Sequence, residues 1–578
     1  MKRLAILSSF VLMGAMASMA QWSNEQSGFI HVFPEQSLYE SRMMMTPTGS
    51  TWVFFAYPED GCTKYGLQLV DSLGNLVFGE KPFVVSDYPT RTYNVVNEFL
   101  TVDSEGNAIV VAHDCRYSTP EAQQMSYTAY KISQTGEFLW GEEGVALYGE
   151  DATDFSACMS TVEIADKSIV FAWQQADPET NTVAIRMQRI SAEGEVLWNP
   201  DEVCIKAAKT DFTYPYLVDG GNNQVLLVYA KGSAKDLYVR KIDFDGASVW
   251  SEDTQIYRSG WGNVPLQSVL DVQPSGDNGV IVSWYDDRYY TNVESVFMTY
   301  VKTNGEIGFA AGVDGQKLSY AGWRSFRPKC KYDPTSDAFY AIWEESSSSQ
   351  SWNRIVAQKL NKDGELLWGE TGLELRPLAQ LRYGYQSLQV GVPGEMAFFY
   401  MENEGGTYAD NVKTIATIVN VNDTTVRREC DFTDELGLSP KQNLRSTVMY
   451  NNSYWTLSWS HGQLATARIV LQRLNNDLTV GVPNADDAVE GVRAENATFM
   501  ALATLVDGEA MFATNFATAT QATLAVYDIN GALVATPFDG VLAAGKQYIE
   551  WNANVPAGIY LATLTTAQGV ETVKVLVK

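Results

Sequence analysis

The sequence predicts an all-β protein, a β-propeller of eight blades followed by a small immunoglobulin-like β-sandwich. Three observations carry the prediction. Two unrelated signals repeat with a single period along most of the chain, the repeating unit reads as four short strands, and no helix-period stretch follows the N-terminal segment.

The first signal is a turn glycine four residues ahead of a tryptophan, in SQTGEFLW, SAEGEVLW, DFDGASVW and NKDGELLW. Its glycines are Gly136, Gly194, Gly246 and Gly364, with weaker copies at Gly74 and Gly305, spaced 52 to 62 residues apart. Asn422 and Asn476 continue the series, with Asn in place of Gly at a turn. The second signal is an apolar run ending in a ring: Tyr57, His113, Trp173, Tyr229, Trp284, Trp343, Tyr400 and Trp459, in steps of 55 to 60 residues. A four-stranded sheet recurring at this period is the mark of a propeller, whose blades cover one another's faces. Seven blades plus a split closing blade is the alternative.

In chain order, Lys2 and Arg3 precede the apolar run Leu4 to Met13, and Ser18-Met19-Ala20 supplies small residues for cleavage. Residues 1–20 are therefore expected to be a signal peptide. No later stretch approaches the roughly 20 apolar residues that spanning a membrane needs. Residues 21–483 are the propeller repeats. In the fifth unit, Val280 to Trp284 is a strand, Asp286-Asp287-Arg288 opens a loop, and Val296 to Val301 is the next strand. Residues 484–496 break the period and lack aromatic rings, as a linker does.

Residues 497–578 carry Asn530-Gly531 between two apolar runs, a hairpin signal because both residues tolerate positive φ. Pro556, Gly558 and Tyr560 follow in a P-x-G-x-Y pattern, and Lys574 and Lys578 close the chain. Together these pieces resemble the type A C-terminal sorting domain of Bacteroidetes type IX secretion cargo. The resemblance implies export to the cell surface or the medium, the type IX machinery as partner, and cleavage just ahead of this domain.

The 69 acidic and 41 basic residues give a net charge of −28. That balance argues against nucleic acid or an anionic membrane surface as partner. No cofactor is indicated, and calcium is left open by the acidity. Six cysteines permit disulfides in an exported chain, with Cys62 and Cys115 the first pair to test.

Loops between the second and third strands of propeller blades gather on one face, and the rings end just before those loops. Rings beside carboxylates suit sugars, so Trp284, Asp286, Asp287 and Arg288 are the first candidate ligand corner, joined by Trp173, Trp343 and Glu344. The alternative is that these rings pack blade against blade beside solvated carboxylates. No catalytic or metal-binding residues are indicated: there are three histidines, His31, His113 and His461, and no H-E-x-x-H, G-x-S-x-G or P-loop. Phe326-Arg327-Pro328 departs from the F/Y-R-I-P motif of sialidases by lacking the isoleucine and by lying in the sixth unit. The expected function is a binding or adhesion module for a glycan or a surface protein, with a propeller-fold glycan hydrolase as the alternative.

Overall fold

The computed structural model describes residues 22–24, 28–33, 38, 41–59, 62–90, 100–118, 126–148, 156–233, 235–258, 270–290, 293–403, 412–424, 426–431, 441–462, 466–482, 499–501, 505–506, 509–516, 518–529, 531–543, 545–567 and 569–578. They contain strands and turns and no helix. The expected signal peptide (1–20) and linker (484–496) lie outside the described residues. The chain divides into two compact units, Met1–Val482 and Pro483–Lys578.

Among the described residues, eight four-stranded antiparallel sheets follow one another in the first unit. The sixth shows the plan, with Arg324–Asp333, Ala338–Ser346, Asn353–Leu360 and Leu373–Ala379 in that spatial order. From the first sheet to the eighth, the first strand of each sheet meets the first strand of the next, so these strands lie innermost and the sheets radiate from them as in a β-propeller. The eighth sheet combines Lys441–Ser446, Tyr454–His461 and Arg468–Asn475 with Ile30–His31 from the start of the unit, placing Ile30 opposite Leu471. Thr51 Oγ1 donates to Thr456 Oγ1 at 3.0 Å, and the Tyr454 hydroxyl donates to the Gly49 carbonyl at 2.9 Å. These bonds join the last sheet to the first.

Each second strand is buried on both faces, so it reads as a continuous apolar run. In Ala338–Ser346, Ala338, Tyr340 and Ile342 pack with the seventh sheet's Phe398 and Tyr400. Phe339, Ala341 and Trp343 pack with the fifth sheet's Ile281 and Met298. The period of two thus gives every sheet one face for each neighbour. By the same rule Trp173 and Trp284, like Trp343, turn toward the preceding sheet.

The turn column has two physical causes. Its six glycines, Gly74, Gly136, Gly194, Gly246, Gly305 and Gly364, all have φ between 85° and 96°. A Cβ on Gly194 would also lie 2.8 Å from the Trp140 ring, the tryptophan of the preceding unit's turn. Trp140 Nε1 donates to the carbonyl of Ala192 in that same turn at 3.0 Å, so glycine and tryptophan form one seam between units. The last two turns correct the sequence reading. Asn422 and Asn476 do not hold the left-handed position; Thr424 (φ 60°) and Leu478 (φ 69°), two residues further on, do. The Leu478 amide donates to the Asn475 carbonyl at 2.9 Å, as the Gly74 amide does to Asp71.

The second unit holds a three-stranded and a five-stranded sheet around one core, with Phe512 and Ile549 from the first and Leu524, Val526 and Ala562 from the second. Gly531 (φ 80°) lies in the turn between Thr520–Asp528 and Leu533–Leu542, where the hairpin signal pointed; Asn530 lies outside the described residues.

Candidate functional site

The expected corner of the fifth sheet is built into the core. Its second strand, Val280–Tyr290, carries Asp286-Asp287-Arg288 inside the strand, which corrects the expectation of a loop there. Register shifts between Asp286 and Tyr290, which bends the strand without ending it. Trp284 is 0% exposed. Its Nε1 donates to Asp286 Oδ2 at 3.0 Å, and Arg288 grips the same carboxylate through Nε at 2.8 Å and through Nη2 at 2.5 Å. Arg288 Nη1 also donates to the Asp314 carbonyl at 2.8 Å, and its guanidinium covers the Phe297 ring at 3.7 Å. Asp287 is half-buried beside this network.

Two other sheets repeat the arrangement. Trp173 Nε1 donates to Gln175 Oε1 at 2.7 Å, and Trp343 Nε1 to Glu345 Oε1 at 3.0 Å. Arg354 Nη2 then closes on Glu345 at 2.6 Å. The three tryptophans pack between sheets and present no face to a ligand in solution, so the packing reading describes them.

Sequence reasoning missed a second column that lies opposite the rings. In the third sheet the innermost strand, Ser156–Glu163, pairs Ala157 with Gln174 and next Ser160 with Ala172, so two residues face Trp173 alone. The same bulge faces Tyr229, Trp343, Tyr400 and Trp459 in the fourth, sixth, seventh and eighth sheets. Its first residue is left-handed every time: Cys158 (φ 55°), Tyr214 (55°), Arg327 (51°), Tyr385 (54°) and Asn443 (57°). None is glycine, so each position costs about 1–2 kcal/mol of backbone strain. In the other three sheets this stretch falls within or against residues that are not described. A sequence signal existed only as spacing: Cys158 and Tyr214 are 56 residues apart, and Arg327, Tyr385 and Asn443 follow at intervals of 58.

At the sixth sheet's bulge, Phe326 lies opposite Glu344. Glu344 is 7% exposed, on the face of its strand that meets the seventh sheet. Its carboxyl makes no hydrogen bond or ion pair among the described residues. Burial pushes it up to about 7, against the pull of Arg327 on its own sheet and Arg382 on the next. Arg327 and Arg382 are exposed, and neither guanidinium has an ion-pair partner among the described residues. Tyr383 lines the same seam; burial, followed by the charge of Glu402, raises its hydroxyl. On the fifth sheet, Lys317 lies 4.9 Å from the centre of the Tyr289 ring and 5.3 Å from that of Tyr320, and both rings are 54% exposed.

In the second unit, Gly558 opens the strand Gly558–Thr566, and the Tyr560 hydroxyl donates to the Pro556 carbonyl at 2.8 Å. The Tyr560 ring packs edge-on against Trp551 at 5.9 Å. Lys574 is exposed on the last strand, Gly569–Val577, and Lys578 follows it. Among the described residues no three His, Cys, Asp or Glu side chains are grouped to hold a metal ion, and no helix is long and apolar enough to cross a membrane. The Cys62 side chain lies outside the described residues.

No protein-family model matches the chain, and no curated protein does. Solved structures resemble it in part. A polysaccharide lyase, Uly1, is 10% identical over 76% of this chain and 100% of its own, with a TM-score of 0.35. Sqt1 of Chaetomium thermophilum, bound to the N-terminus of ribosomal protein L10, is 9% identical over 77% and 98%, with a TM-score of 0.39. An endo-arabinase from Bacteroides thetaiotaomicron is 12% identical over 44% and 92%, with a TM-score of 0.27. Likenesses this distant assign no function.

Proposed function

We propose that this chain is an exported, eight-bladed β-propeller that binds a ligand at the end where the bulges face the rings. In the same reading, an immunoglobulin-like sorting domain delivers it through the type IX machinery to the cell surface or the medium. The observation that carries the binding reading is the row of left-handed bulges. Strained, non-glycine backbone persists only where its surroundings impose it, and it concentrates at ligand clamps. Here it recurs at one level of five innermost strands and turns Arg327 and Tyr385 out to solvent. A glycan and surface-protein array probed with the purified chain tests this. Ligands captured by the wild type and lost with Tyr385→Ala support it; capture unchanged by bulge variants removes it.

A glycan hydrolase is the second reading, favoured by Glu344, whose carboxyl titrates near neutrality as a general acid must. Turnover of a polysaccharide that disappears in Glu344→Gln would select it. The sorting reading rests on the C-terminal sequence pattern. Deleting residues 570–578 removes the last strand of the second unit, with its buried Val575 and Val577, and should leave the propeller unit folded in the periplasm; normal surface levels of that variant would defeat the reading.

A further inference from the structure

We propose that the seam between the sixth and seventh sheets binds the oxyanion of an acidic saccharide on Arg327 and Arg382, and that Glu344 gates this binding by its proton. The inference rests on the binding reading above and names the ligand class for that site.

The chemistry follows from which groups are left without partners. In this acidic chain, arginines such as Arg288 and Arg354 are spent on internal carboxylates. Arg327 and Arg382 are exposed and have no ion-pair partner among the described residues, and both act on one buried carboxyl. Two free guanidinium groups beside one site suit a carboxylate or a sulfate ester, which they can bind through paired N–H donors. The Tyr385 ring, 38% exposed at the seventh sheet's bulge and three residues beyond Arg382, suits the apolar face of a sugar unit.

Glu344 decides when the pair of cations is available. Ionised, it neutralises part of their charge and repels an incoming anion. Protonated, it leaves both cations to the ligand and offers an O–H donor as well. The other groups around it are committed or neutral. Tyr383 keeps its proton well past neutral pH. Glu402 is held by Arg376 at 3.1 Å, and Glu374 by Arg354 at 3.0 Å. On the far side of Arg327, Tyr285 is neutral and Glu294 is held by Arg324 at 2.8 Å.

With Glu344 titrating near 7, the competent fraction is about 0.9 at pH 6 and about 0.1 at pH 8, so affinity should be about tenfold higher at pH 6. The test is calorimetric titration of the full mature chain with trigalacturonate, its neutral galactose trimer and a sulfated galactose trimer, at both pH values. Binding of either acidic trimer, about tenfold tighter at pH 6, supports the inference, and which trimer binds identifies the oxyanion. Glu344→Gln should bind equally at both pH values, and Arg327→Ala and Arg382→Ala should each lose the acidic trimer. Equal binding of the neutral trimer overturns the inference and leaves the binding reading standing. So does a pH preference that survives in Glu344→Gln, which would place the proton on another group. If neither acidic trimer binds at pH 6, the inference also fails, and the array experiment decides the broader reading separately.

Discussion

The fifth sheet's corner and the seam after the sixth sheet begin from the same sequence plan. Each has a tryptophan ending an apolar strand, acidic residues one to three positions on, and an arginine nearby. Their fates differ. Asp286 is 0% exposed and accepts from Trp284 and Arg288, so the buried carboxylate of that corner is answered from within. Glu345 repeats that role in the sixth sheet, and its neighbour Glu344, turned to the other face of the strand, has no hydrogen-bond or ion-pair partner among the described residues and feels the charges of Arg327 and Arg382. The parity of the strand decides which carboxylate becomes core and which remains available for chemistry.

The largest expected effect tests the closed side. Asp286→Ala strips the partner from a guanidinium whose side chain is 3% exposed and from a buried indole N–H. Breaking a buried pair from one side costs about 3–5 kcal/mol, readable by denaturant unfolding. Arg288→Ala should cost a similar amount, since it leaves the carboxylate buried without its cation. A loss below about 1 kcal/mol in either variant would mean that this corner is open to water and that the contrast with the seam is false.

Glu344→Gln should act in the opposite direction, with a pH dependence that identifies it. Burial raises the Glu344 carboxyl from its ordinary 4.5 to about 7. Below the unfolded value the group is neutral in both states and costs nothing. As pH rises from there, the unfolded chain ionises first and stability falls; above the folded value the loss is complete, at about 3 kcal/mol. Glutamine carries no charge, so the variant should match the wild type near pH 4 and exceed it by up to about 3 kcal/mol at pH 8. A difference that is the same at every pH would show that Glu344 contributes through shape and not through its charge.

Much of the scaffold was legible because propeller packing leaves local marks. The turn glycines are required by φ near 90° and by the ring of the preceding unit. The apolar runs are required by burial on both faces. The split closing sheet left a weaker mark, because Ile30–His31 supplies only two residues. The site was half legible. Glu344 was among the candidates, but a linear sequence with two adjacent glutamates does not reveal which one faces Arg354. Arg327 enters the sequence reading only as a departure from the sialidase motif, since left-handed bulges at Cys, Tyr, Arg and Asn share no residue type, and no repeated signal marks Arg382, which opens its strand opposite Asn403. The rings drew attention because aromatic side chains repeat visibly, yet their repetition reflects packing between sheets.

Arg327→Gly carries the smallest expected effect, and its sign separates the two regions most cleanly. Arg327 sits at φ 51°, exposed and without an ion-pair partner among the described residues. Glycine adopts this conformation without the cost of about 1–2 kcal/mol that an L side chain incurs. Greater freedom of the unfolded chain offsets about 0.4–1 kcal/mol of that gain. The variant should therefore be as stable as the wild type or up to about 1.6 kcal/mol more stable, while losing one of the two cations at the seam. The same kind of residue, an arginine beside a ring-bearing strand, would then be essential to folding at position 288 and dispensable at 327. If Arg327→Gly instead costs as much as Arg288→Ala, the strained bulge is a packing device and the seam is closed like the corner before it.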